Sequence, residues 1–315
     1  MRKRWTKRLL IILGFGTCAG VWALFGLHPY LAVNAPLRAP VAVVEGWIPA
    51  PFLPMAVEAI EQGGYQRVFV TGTVRSFSYY LDPDERLVVR GAEPLRGALR
   101  INVSGMPNAG FLLIADGDTV LRQSVTERPT FYHVHLAGAD SLEVVSFNAG
   151  QAPEGMPNLY VKDLLIGSFN AHQLTPDVWR VLPDGTRLRG TPTFAELCAE
   201  ELHTLGLAQA RVVALPVRDI RESRTLSNAT AFAQRARVEG ITQVDVISLG
   251  VHARRSRKMF RKACGDAVQV GVIALPDPRA PADRWWRMRW AWVHLAKEVV
   301  GLPISSFFDP QAAVE

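Results

Sequence analysis

Cysteine is scarce in this sequence: Cys18, Cys198 and Cys264 are all there are among 315 residues. Three thiols cannot build a disulfide framework, and no Cys or His spacing resembles a zinc site. Cys18 lies inside an apolar run. That leaves Cys198 and Cys264 either to pair in an oxidising compartment or to act as small buried apolar residues. His133 and His135 share one face of the segment TFYHVHL. With no obvious third ligand, neither a metal nor another cofactor is expected. A nucleophile-plus-base motif is also missing, so nothing directly signals covalent catalysis.

Acid is absent from the first eight residues, MRKRWTKR, which carry five positive charges, and charge of either sign is absent from Leu9 to Leu27. A helix of that length crosses a hydrocarbon core of about 30 Å. The basic flank has no counterpart after Leu27. This predicts a single-pass anchor within residues 1–30, a cytoplasmic amino terminus, and a periplasmic or other extracytoplasmic body on the inner membrane. A cleaved signal peptide is the competing reading, but its nearest site, Val33-Asn34-Ala35, fits the small-residue pattern poorly and precedes Pro36. The net charge of +6 belongs partly to the basic flank. Nucleic acid is therefore not an expected partner, whereas the membrane is. Hydrophobic residues make up 49% of the chain, enough for one large core or two modest ones, and this excludes general disorder.

From Pro40 onward, short apolar runs alternate with helical patterns. VAVVEG, RVFVTGT, ARVVALPV, VDVISLG and VQVGVIALP read as buried strands, separated by helices such as PMAVEAIEQGG, SNATAFAQRARVEG and ARRSRKMFRKACG. Such alternation predicts an α/β fold, a parallel sheet with helices on both faces, over residues 39–75 and 191–302. Residues 76–190 follow a different rule: short strands punctuated by Gly, Asn, Asp and Pro, which predict an inserted β-sandwich. The insertion point is a loop at a strand's carboxyl end, where α/β folds build ligand sites.

Four segments should converge there. After the first strand comes Glu45-Gly46-Trp47, and an acid directly following a buried strand must face a partner or a cleft. Thr71 and Gly72 end the second strand. In RDIRESRTLSN, Arg224, Thr225 and Asn228 either face the crevice or serve as helix caps and surface pairs. Gly250, His252, Arg254 and Arg255 open a basic helix whose free N–H groups and guanidinium groups suit a phosphate or carboxylate. The alternative for that helix is a solvated basic face. Glu45 and His252 are the candidate acid/base pair. The tryptophans of DRWWRMRWAWVHLAKEVVG most simply pack a terminal helix on the sheet or near the lipid interface.

VAVVEGWIP, GGYQRVFVTGT, ALPVRDIRESRTLSNA and SLGVHARRSRKMF together resemble the ElyC/SanA/YdcF-type family of bacterial envelope proteins. The resemblance implies a Rossmann-like domain, often membrane-anchored, in peptidoglycan-related processes, and no settled reaction. Glu45-Gly46-Trp47 stands where that family commonly has a glycine-rich turn. Within the insert, VVSFNAG and GMPNLYVKDLLIG are similar to calcium-dependent, xylan-binding carbohydrate-binding modules. Ala149 and Met156-Pro157 replace the expected acidic positions, and calcium needs such hard oxygen ligands. The leading expectation is an envelope factor that binds an anionic, phosphate-bearing glycan or lipid-linked precursor. A hydrolase or transferase acting on that precursor is the second reading. In the leading reading the insert helps to recognise glycan; the third reading is a scaffold whose insert docks a protein partner.

Overall fold

A computed structural model describes residues 14, 17, 20, 21, 24–150, 156–175, 177–220 and 222–309. Most of the run from Leu9 to Leu27, expected to span the membrane, lies outside the described residues. Among those described, no helix is long and apolar enough to cross a membrane. The chain forms two compact units, Met1–Thr73 with Cys198–Glu315, and Val74–Leu197.

The first unit begins with a short helix α1 (Leu27–Leu31), followed by β1 (Val41–Glu45), α2 (Leu53–Gly63) and β2 (Arg67–Thr73). All five residues of β1 are buried. Its continuous apolar sequence follows from packing on both faces: Val41 and Val43 join one core cluster, Ala42 and Val44 the other. Burying such side chains contributes roughly 1.5–3 kcal/mol each. Helix α2 stops where Gly64 adopts a left-handed conformation, φ 63°, which glycine accommodates without a Cβ clash.

The second unit is antiparallel throughout. It holds β3 (Tyr79–Leu81), β4 (Arg86–Gly105), β5 (Ala109–Ala115), β6 (Asp118–Ser124), β7 (Thr130–Asn148), β8 (Leu159–Ile166) and β9 (Phe169–Asn170). A one-turn helix α3 (Ala171–Leu174) then leads to β10 (Asp177–Val181) and β11 (Arg187–Arg189). The expected sandwich of separate sheets is instead one nine-stranded sheet around a single core. Its continuity comes from β4 and β7, 20 and 19 residues long. The early part of β4 pairs with β10 and the later part with β8, and the register shifts between Arg90 and Gly97. Positive φ at Gly97 and Gly138 marks the irregular region in the two strands. Glycines read as turns are therefore breaks within continuing strands. Where the resemblance placed a calcium site, Asn148 donates to Asn158 at 2.7 Å. Buried Asn158 donates in turn to Ser146 Oγ at 2.8 Å and to the Phe147 carbonyl at 2.9 Å.

The boundary back to the first unit falls within α4 (Phe194–Thr204), which is followed by β12 (Val212–Val217), α5 (Arg224–Glu239) and β13 (Gln243–Leu249). The chain closes with α6 (Ala253–Cys264), β14 (Gln269–Leu275) and α7 (Arg289–Ile304). The five-stranded sheet has the order β12-β2-β1-β13-β14, and every neighbouring pair is parallel. This is the Rossmann-like arrangement, with the strand order reversing between β1 and β13. Residues of α5 and α6 share a core cluster with one face of β1, and those of α2 and α4 with the other. Cys198 and Cys264 are free, buried thiols, both pushed up to about 12 chiefly by burial.

Candidate functional site

The reversal between β1 and β13 opens the sheet at their carboxyl ends, and Glu45 is the last residue of β1. Its carboxylate is fully buried. Ser256 Oγ, in the first turn of α6, donates to Glu45 Oε2 at 2.7 Å, and Ser248 Oγ lies 3.2 Å from that same hydroxyl. With Ser256 donating to the acid, Ser248 is the donor to Ser256. Glu45 Oε1 has no hydrogen-bond partner among the described residues.

After β13 the chain turns through Gly250 at φ 51°. A Cβ there would sit 2.8 Å from Asp277 Cβ, so both conformation and space require glycine. The turn carries His252 to a point where Nε2 is 3.8 Å from Glu45 Oε1. Nε2 also lacks a hydrogen-bond partner among the described residues. The other ring nitrogen, Nδ1, is 2.9 Å from Glu298 Oε1. Arg255 grips the same carboxylate with two hydrogen bonds, Nε to Oε2 at 2.7 Å and a terminal nitrogen to Oε1 at 2.9 Å. Trp47 meets the imidazole edge-on, with ring centroids 4.9 Å apart.

Burial alone would raise the Glu298 carboxyl. Hydrogen bonds from His252 and Arg255, with the charges of both, outweigh that cost and bring it down to about 2. Glu298 is therefore ionised and can only accept. Nδ1 lies 2.9 Å from Glu298 Oε1 and 3.0 Å from a terminal nitrogen of Arg255; in the tautomer that donates from Nδ1 to the carboxylate, the Nε2 lone pair of the neutral ring faces Glu45. The arrangement is a histidine held by one carboxylate, with its other ring nitrogen turned toward a second, half-paired carboxylate.

Glu45, Gly250 and His252 thus come together as the sequence suggests. Thr71 and Gly72 occupy the neighbouring β2, where buried Thr71 Oγ1 has no partner among the described residues. Ser223 caps α5 by accepting from the Leu226 N–H at 3.1 Å. Thr225 and Asn228 are buried in the first turns of α5, and Asn228 Oδ1 is also unpartnered. Arg224 is exposed. The two α6 arginines expected at the crevice have partners elsewhere: Arg255 pairs with Glu298, and Arg254 stacks on Tyr30, whose ring centroid lies 3.9 Å from the guanidinium carbon. Glu298 and Ser256 were not singled out from the sequence. Glu298 had one signal, as the only acid in the segment RWAWVHLAKEVVGLPI. A lone acid amid apolar and basic residues needs a buried partner or exposure.

No family model matches the chain, and no curated protein matches it. Among solved structures, the carboxyl-terminal domain of EclA, described as a sugar-binding protein, is 15% identical, covering 29% of this chain and 76% of that chain, at a TM-score of 0.20. A family two carbohydrate esterase from Clostridium thermocellum, in complex with cellohexaose, is 11% identical, covering 72% of this chain and 95% of that chain, at 0.23. Likenesses at these TM-scores establish no common fold, so the site rests on its own residues.

Proposed function

We propose that this chain is a membrane-anchored envelope protein of the ElyC/SanA/YdcF type whose crevice performs acid–base chemistry on a hydroxyl-rich glycan or lipid-linked precursor. One observation carries the reading: His252 Nε2 and Glu45 Oε1, both buried and without hydrogen bonds among the described residues, face each other across 3.8 Å. A water about 2.8 Å from each atom would donate one O–H to each and present its lone pair to an electrophile, whereas a ligand hydroxyl would donate its single O–H to His252. His252 takes the proton, Glu298 holds the imidazole in orientation, and Arg255 offsets the Glu298 charge. Hydrolysis or group transfer follows from this arrangement more naturally than anion capture. Arg255 pairs with Glu298 and Arg279 with Asp277, so the crevice favours hydroxyl groups over a phosphate.

The retained anchor is part of the same proposal. Leu31 shares a core cluster with Trp285, Ala291 and Leu295, and His28 Nε2 donates to the Ala280 carbonyl at 2.8 Å. Cleavage beside Ala35 would discard these contacts, whereas a retained anchor keeps them; the cytoplasmic amino terminus and extracytoplasmic body rest on the charge asymmetry about the apolar run. The test is turnover of lipid-linked glycan precursors by the full chain in lipid nanodiscs. Glu45→Gln and His252→Gln should each lower turnover by about 10²–10⁴-fold, while Arg254→Gln leaves it unchanged. Precursor binding without product, or full turnover in both variants, would sink the acid–base reading.

A further inference from the structure

The carboxyl-terminal helix α7 has an unusual surface for a helix bordering solvent. Only Ala291, Leu295 and Glu298 are buried in it. Around them Trp290 is 74% exposed and Val300 58%, and Trp292, Val293, Val299 and Ile304 are also exposed. From Arg284 to Ile304 the exposed charges are Arg284, Arg287, Arg289 and Lys297, all positive, and the one acid is the buried Glu298. A helix apolar on its outer as well as its inner side belongs in a protein core or in lipid. At 16 residues it is too short to span a bilayer.

Helix α6 presents a second, cationic surface nearby. Arg254, Arg257, Lys258 and Arg261 line a groove of about 460 Å³ together with Tyr30 and with Leu302 of α7. None of these four cations forms a salt bridge among the described residues. Burial lowers the proton affinity of Arg257 and Lys258, with added repulsion from Arg261 and Arg254 on the first and from Lys262 on the second. Such a cluster gains by meeting an anion. Both surfaces adjoin the point where the apolar amino-terminal run enters the body: Phe25 packs edge-on against Trp286 at 5.5 Å, and the Trp285 indole donates to the Leu24 carbonyl.

We infer that α7 lies in the interfacial layer of an anionic phospholipid bilayer, with the groove beside it receiving headgroup phosphate. Exposed tryptophans with basic flanks suit that layer, and the uniformly positive charge complements an anionic leaflet. The inference is independent of the acid–base reading.

The test places an environment-sensitive fluorophore on the full chain at Val300→Cys in a Cys18→Ser background, reconstituted into vesicles containing acyl-chain-brominated lipid. Buried Cys198 and Cys264 are protected from labelling. A label at Val120→Cys, on an exposed position of β6, is the reference. With phosphatidylglycerol, quenching at position 300 should exceed that at 120 several-fold. It should fall in phosphatidylcholine and in Arg257→Gln/Arg261→Gln. Equal quenching at the two positions would overturn the inference, including the case in which a second copy or the amino-terminal segment covers α7. Quenching indifferent to lipid charge and to the arginines would overturn the role of the groove.

Discussion

Changing Glu298 to Gln keeps the side chain's shape and removes its charge. The native carboxyl is held at about 2 against an ordinary 4.5 by its bonds to His252 and Arg255. A difference of roughly 2.5 units at about 1.4 kcal/mol per unit corresponds to about 3 kcal/mol of folding stability. Because the folded value is depressed, this contribution is complete above the unfolded value and is lost as pH falls toward about 2. Chemical denaturation of the full chain at neutral pH should therefore show the variant less stable by about 3 kcal/mol, with Arg255 left over a neutral amide. The gap should close as pH drops from about 5 toward 2, since protonation removes the same interaction from the native protein. A gap independent of pH, or one below about 0.5 kcal/mol at neutrality, would refute the clamp.

Other predictions concern the frame around the crevice. Asp245 is buried at the opposite end of β13 and accepts from the Leu37 and Ala39 N–H groups and from the Tyr65 hydroxyl, at 2.7, 3.1 and 3.0 Å. Asp245→Ala should cost on the order of 3 kcal/mol or more in urea denaturation; a change under about 0.5 kcal/mol would contradict that accounting. Gly250→Ala imposes both a left-handed backbone and a close approach to Asp277. It should cost about 1–3 kcal/mol and slow turnover by displacing His252, and an unaltered thermal midpoint would count against it. Asn158→Ala strips the Asn148 amide of its 2.7 Å acceptor and Ser146 of a donor. A loss of about 2 kcal/mol is expected for the unfolding of the second unit, and full stability would show that the paired amides contribute nothing.

The parallel sheet was legible because its strands, buried on both faces, read as unbroken apolar runs such as VAVVE and VDVISL. The inserted strands were legible one by one, but not their continuity. LVVRG and GALRINVSG form a single β4, since a glycine that ends one strand looks the same in sequence as a glycine that bends it. Glu45, Gly250 and His252 could be brought together by topology alone, because each lies at or just after a strand end at the reversal. The arginines could not be assigned that way. Where Arg255 goes depends on Glu298, 43 residues later on another helix. Arg254, next to it in sequence, is turned by the helical twist of about 100° per residue toward Tyr30. A charge-rich helix start therefore looked like an anion site when part of it is a clamp for a histidine.

That clamp makes the sharpest test of the account, and it requires no substrate. Nitrogen-15 spectra of the full chain labelled at histidine, with His252 assigned by its loss in His252→Gln, report which ring nitrogen releases its proton as pH is raised. If Glu298 holds the imidazole, Nε2 deprotonates while Nδ1 keeps its proton toward Glu298, and Glu298→Gln weakens this preference. A neutral His252 with its proton on Nε2 would contradict the account, because no basic nitrogen would then face Glu45.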